Sequence, residues 1–191
     1  LDSRNMAAEF NPYAASFHPV LAQGRNQNIS AASFVPGWSQ TSMVYCSDCH
    51  ENNAAPAQGP HSSPLLHILA GTTNYKTGDN STPLATEVCF KCHSFAVYVT
   101  GAAGTTGAGG TNFYQGTRNL HSFHVRQTAQ TSCYTCHDTH GSEQEHLINF
   151  DASVMTFPAG RNSQTAFAPS ATGGSCYLTC HTGNHNPFTY P

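Results

Sequence analysis

The sequence predicts a fold that is mostly coil, with a few short α-helices and little β structure, and with an interior that side chains alone do not make. Composition is the first reason. Of the 191 residues 38% are apolar and 9% charged, too few apolar groups for a large Leu/Ile/Val core, while the formal charge of −3 is well short of the net charge that keeps chains disordered. Eight cysteines and twelve histidines are the second reason, because they are the groups left to impose order. The third is that these residues recur at fixed intervals along the chain.

The cysteines form four pairs, each followed at once by histidine: CSDCH (46–50), CFKCH (89–93), CYTCH (133–137) and CYLTCH (176–181). C-x-x-C-H is the attachment signature of c-type haem, in which two thiols form thioethers to the porphyrin vinyl groups and the adjacent histidine becomes an axial iron ligand. Cys46, Cys49, Cys89, Cys92, Cys133, Cys136, Cys176 and Cys180 are therefore expected to hold four covalently attached haems, with His50, His93, His137 and His181 as proximal ligands. The last pair has one extra residue between its cysteines, a loop that can still span two fixed vinyl carbons. Zinc ribbons also use paired cysteines, and eight cysteines can make four disulfides. Neither needs a histidine after the second cysteine of every pair. Four flat porphyrins supply the apolar surface that the side chains lack, so the expected fold is haem-dominated.

The order of elements follows from an internal repeat. Cys46 and Cys89 are 43 residues apart, and so are Cys133 and Cys176. GPHSSPLLHI (59–68) and DTHGSEQEHLI (138–148) each place two histidines six positions apart, His61 with His67 and His140 with His146. SFHPV (16–20) echoes SFHV (122–125), matching His18 to His124. The chain reads as two tandem dihaem modules, 1–100 and 112–191, joined by the Gly/Thr-rich loop 101–111. Helical turns are expected at 64–70, 86–98, 119–126 and 131–137, where apolar residues recur at helical spacing or a haem motif demands a turn.

Eight histidines outside the motifs can serve as distal ligands, against only three methionines, Met6, Met43 and Met155. Bis-histidine ligation of all four irons is therefore expected. The repeat favours His18 and His61 in the first half and His124 and His140 in the second, with His121, His67, His146 and His185 as further candidates. His67 and His146 repeat as faithfully as the preferred pair and are alternatively read as residues that orient a ligand.

The run C-x-x-C-H-D-x-H-G-S at 133–142, followed by another haem motif, resembles the doubled-motif multihaem cytochromes c of metal-reducing bacteria. His140 matches the position that in such proteins commonly binds a second haem, and His61 matches it with Ser in place of Gly. A tetrahaem chain of this size is similar to the extracellular, OmcE-type cytochromes that polymerise into filaments. The resemblance implies an electron-transfer protein and not an enzyme, since a hexacoordinate haem leaves no open position for substrate. It also implies a cell-surface or extracellular location, reached by export with a signal peptide already removed before Leu1, and external electron acceptors as redox partners. His18 lies 28 residues before Cys46 on a polar arm, whereas His124 lies 9 before Cys133. Such an arm can give its histidine to a neighbouring copy, and a head-to-tail contact of that kind generates a filament. A monomeric periplasmic shuttle is the alternative, and a reductase with an open haem site a more distant one. No apolar run is long enough to span a membrane, and no basic stripe or phosphate-cradling loop points to nucleic acid.

Overall fold

The computed structural model describes residues 6–26, 28–52, 60–61, 63–127, 130–180 and 183–191. Helical structure among them comes as single turns. Three are α-helical, α1 (Met6–Glu9), α2 (Cys46–Cys49) and α3 (Leu120–Ser122). Tighter 3-10 turns lie at Leu66–Ile68, Val88–Lys91, Cys133–Thr135 and Glu145–Leu147, and wider π turns at Ala96–Thr100 and Phe123–Gln127. Each of the four stretches expected to turn contains one of these. The Ala96–Thr100 turn stops at Gly101, whose φ of 58° is the left-handed conformation that glycine adopts without a Cβ clash. Asn119 then joins this turn to α3: its Oδ1 accepts from Ser122 N (3.1 Å) while its Nδ2 donates to Val97 O (2.8 Å). That junction fixes the position of His121.

The expectation of little β structure is overturned. Strand content is about 21% against about 22% helix. In chain order the strands are β1 (Ser16–Phe17), β2 (Tyr114–Gln115), β3 (Arg118–Asn119), β4 (Gly141–Ser142), β5 (Met155–Thr156), β6 (Phe167–Pro169), β7 (Gly174–Cys180) and β8 (Gly183–Tyr190). β5, β6 and β8 all pair antiparallel with β7 to make a four-stranded sheet. Its physical cause lies in the fourth cysteine motif: Cys176, Tyr177, Leu178 and Thr179 suit a pleated, half-buried surface, and Leu178 points into the larger core. Elsewhere β1 pairs with β4, and β2 with β3 in a short hairpin.

The two halves expected in tandem are laced together, because β1 belongs to the first and β4 to the second. Two small cores result. Ile148, Phe150, Met155, Ala166, Phe167 and Leu178 pack under the sheet, with Cys136, Cys176 and Cys180 against them. Leu69, Ala70 and Val88 form the other, with Cys89 at its edge. Both cores carry cysteines from the paired motifs on their margins.

Candidate haem-binding centre

Three of the four cysteine motifs fold the same way. In each the histidine N–H donates to the carbonyl of the first cysteine, four residues back: His50 to Cys46 (2.7 Å), His93 to Cys89 (2.9 Å) and His137 to Cys133 (2.9 Å). One helical turn puts residues three apart on the same face, so both thiols of a pair look the same way. The fourth pair departs from this: Cys176 and Cys180 lie on β7, with a bulge between Cys176 and Leu178, and His181 falls outside the described residues.

The loops after the first and third motifs then fold back on the motif histidine in matching fashion. His50 Nδ1 bonds the carbonyl of His67 and His137 Nδ1 that of His146, both at 2.8 Å. A carbonyl only accepts, so the proton sits on Nδ1 and Nε2 is left free to bind a metal. The geometry needs left-handed backbone at His67 (φ 58°) and His146 (φ 61°). One serine braces each loop: Ser63 Oγ donates to Leu69 O (2.9 Å) and accepts from Leu65 N (3.1 Å), and Ser142 does the same for Ile148 and Gln144. His67 and His146 thus contribute their carbonyls. The ring of His146 is engaged by Asn26 (2.9 Å), and that of His67 stacks on Tyr75.

Opposite each of these three motif histidines stands a second imidazole. His18 and His93 have ring centres 6.4 Å apart, His50 and His140 6.4 Å, and His121 and His137 6.3 Å. A metal–imidazole bond is about 2.0–2.1 Å and a ring centre lies roughly 1.1 Å behind its nitrogen, so two imidazoles trans across one metal have centres about 6.3 Å apart. The second imidazoles also have Nδ1 occupied: His18 by the Thr139 carbonyl, His121 by Thr111 Oγ1 (2.9 Å) and His140 by Glu9 Oε2 (2.9 Å). His124, with Nδ1 on the Leu120 carbonyl (2.7 Å), faces His185 at 6.0 Å. His61 is exposed and shows no ring contact with a motif histidine among the described residues.

β1 lays the arm that carries His18 along the loop after the third motif, with His18 N–H on the His140 carbonyl (3.0 Å), and its imidazole faces His93 of the same chain.

The thiols run in a continuous series. Cys89 is close enough to Cys49 to perturb its thiol, as Cys49 is to Cys92, Cys89 is in hydrogen-bonding reach of Cys133, and Cys136 neighbours Cys176 and Cys180. Burial pushes the Cys49, Cys92 and Cys176 thiols up to about 11 and Cys136 to about 12, while the bond to Cys133, followed by burial, raises Cys89. These are protonated thiols, unlike the low-pKa thiolates of nucleophilic sites. Among the described residues no cysteine joins two other ligand groups closely enough to share a metal ion; Glu9, Asp138 and His140 are the only such trio. A zinc ribbon has no support here.

Burial lowers the proton affinity of His18, His93, His121, His124, His137 and His185, His93 to about 4 with the His18 and His137 charges adding to the effect. Their neutral rings are metal-competent. All six are partly buried. Paired thiols on one face of a turn and neutral imidazoles facing across about 6.3 Å fit a covalently held haem. Glu9, Thr111 and the bridging ring of Tyr98, 5.5 Å from His93 and 5.0 Å from His121, have no signal in the sequence, since each acts on a partner distant in the chain or unmarked by the motifs. No protein-family model, curated protein or solved structure matches this chain.

Proposed function

We propose that the chain is an electron-transfer protein carrying four c-type haems, three of them each gripped between two histidines of the same chain. The observation that carries this reading is the recurrence of one spacing, 6.3–6.4 Å, between a motif histidine and a histidine outside the motifs. Site 1 takes Cys46, Cys49, His50 and His140; site 2 takes Cys89, Cys92, His93 and His18; site 3 takes Cys133, Cys136, His137 and His121. Site 4 takes Cys176, Cys180 and His181, with His124 and His185 nearest as distal ligands.

Haem supplies a one-electron couple when bound, and the chain's own residues do the rest. The turns aim paired thiols, and the carbonyls of His67 and His146 fix the tautomer of His50 and His137. His140, His18 and His121 would complete the ligation of a haem at sites 1 to 3, which would leave no position for substrate there, and no enzymatic activity is assigned. The run of neighbouring thiols supports the order 1, 2, 3, 4 for the relay.

Self-association is part of the proposal. Around site 1 the chain exposes Tyr45 (71%), Leu66 (58%) and Ile68 (41%), an apolar surface for a neighbouring copy. Head-to-tail contact at that end extends the relay from copy to copy and delivers electrons to external acceptors at the cell surface.

The test is to mature the full chain with haem and record haem content, electron paramagnetic resonance and particle shape. Four covalent haems per chain, low-spin iron at sites 1 to 3 and linear polymers are expected. The ring planes are inclined by 16° at site 3, 30° at site 1 and 55° at site 2, so site 2 should give the most anisotropic of these three signals. Fewer than four haems, or high-spin iron at sites 1 to 3, contradicts the ligation; discrete monomers contradict the assembly.

A further inference from the structure

We propose that Glu9 is a positioning residue for site 1: its carboxylate locks His140 as the Nδ1–H tautomer and makes it the most electron-rich ligand of sites 1 to 3, giving site 1 the lowest reduction potential of those three. The inference deepens the haem reading above and rests on it.

Glu9 ends α1, and its Oε2 stands 2.9 Å from His140 Nδ1, with side-chain exposures of 15% and 28%. Phe10 covers the same ring edge-on, centres 5.0 Å apart, and limits the approach of water. Every other Nδ1 partner at sites 1 to 3 is neutral: the carbonyls of Thr139, His67 and His146 and the hydroxyl of Thr111. A carboxylate accepting from a metal-bound imidazole raises the basicity of that ligand, and a charge-assisted bond is about twice as strong as a neutral one. Negative charge beside the iron stabilises the ferric state more than the ferrous, which lowers the potential.

A second feature shows that the chain makes room for this contact. A Cβ at position 141 would collide with the Glu9 carbonyl oxygen and press on that of Ser16. Glycine is required because α1 and β1 cross there. The first repeat has Ser62 at the corresponding position. Asp138 also lies near, but its Oδ1 is held by the His140 main-chain N–H (3.0 Å) and its Oδ2 by Asn149 (3.4 Å), so it shapes the loop while Glu9 meets the ring.

The experiment is an equilibrium redox titration of the haem-loaded full chain, followed by absorbance and electron paramagnetic resonance. In the unmodified protein one haem of sites 1 to 3 stays oxidised to lower potential than the other two. Glu9→Gln raises that potential alone by at least tenfold in the redox equilibrium constant, about 59 mV for one electron, and leaves low-spin iron at sites 1 to 3. Glu9→Asp keeps the charge on a shorter stem and gives a smaller shift. Gly141→Ala keeps the carboxylate but displaces its backbone, and moves the same potential in the same direction. Unchanged potentials in Glu9→Gln overturn the proposal and leave Glu9 a structural residue. If the variants do not mature, the unmodified protein decides alone: potentials at sites 1 to 3 with none set apart below the other two sink it. Absence of covalent haem, by contrast, would sink the functional reading itself.

Discussion

Beside His137, Ser142 is 7% exposed, Ser132 is 2% exposed and β1 lies across the loop; beside His50, Ser63 is half-buried and Leu66 and Ile68 stand 58% and 41% exposed. Yet the two loops share their left-handed histidine, their serine brace and their carbonyl-to-imidazole bond. Local sequence sets the loop conformation in both, and segments distant in the chain decide its burial. β1 closes over the second loop through Ser16, whose hydroxyl bonds Gln144 O and receives Leu147 N (2.7 Å), and through its pairing with β4. The four-stranded sheet packs beneath. No described segment does this for the first loop.

The largest contrast is expected on removing a haem. Cys133→Ser with Cys136→Ser puts a hydroxyl in place of the Cys136 thiol that packs against the larger core and, on the proposed reading, removes one haem beside it. Circular dichroism should show the cooperative melt abolished. Cys46→Ser with Cys49→Ser, at two residues that border neither core, should leave a folded chain with three haems, since only the stabilisation from one bound group is lost and both side-chain cores stay intact.

Phe17→Ala comes next. Phe17 is 6% exposed in β1, and such a truncation costs about 3–5 kcal/mol. Hydrogen exchange should quicken at 140–148 and stay unchanged at 63–69. If both loops quicken together, their burial does not differ in the way described.

A smaller difference separates the two braces. Ser142→Ala strands buried backbone groups, about 1–3 kcal/mol each, whereas water can replace the hydroxyl in Ser63→Ala and the loss in denaturant melts should be well under that. Smallest of all is His67→Gly, which keeps the carbonyl and relieves left-handed backbone, where an L residue is strained by roughly 1–2 kcal/mol. Stability should change little and haem content not at all. Loss of a haem in this variant would make the His67 ring a ligand.

Much of the site was legible because the chemistry is local. Cysteine pairs and their histidines sit within five or six residues, and the echo of His61/His67 in His140/His146 carried over to a shared loop. What stayed hidden depends on distant pairing. CYLTCH reads as a haem motif with a longer loop between its cysteines, yet residues 174–180 find three strand partners and extend, because Leu178 has a core to enter. β8 contains Pro187, which an edge strand tolerates and a central one does not, and β8 pairs with β7 alone. The target of His18 lies 75 residues away at His93, and Glu9 meets His140 across 131, separations that no periodicity records.

The central claim is that three facing histidine pairs each straddle one iron. A near-atomic density map of the haem-loaded protein tests it most directly. The account predicts His18 with His93, His50 with His140, and His121 with His137 on opposite faces of three porphyrins, all within one chain. Density joining His18 to the haem of a neighbouring copy, or His121 and His137 to different irons, would contradict it.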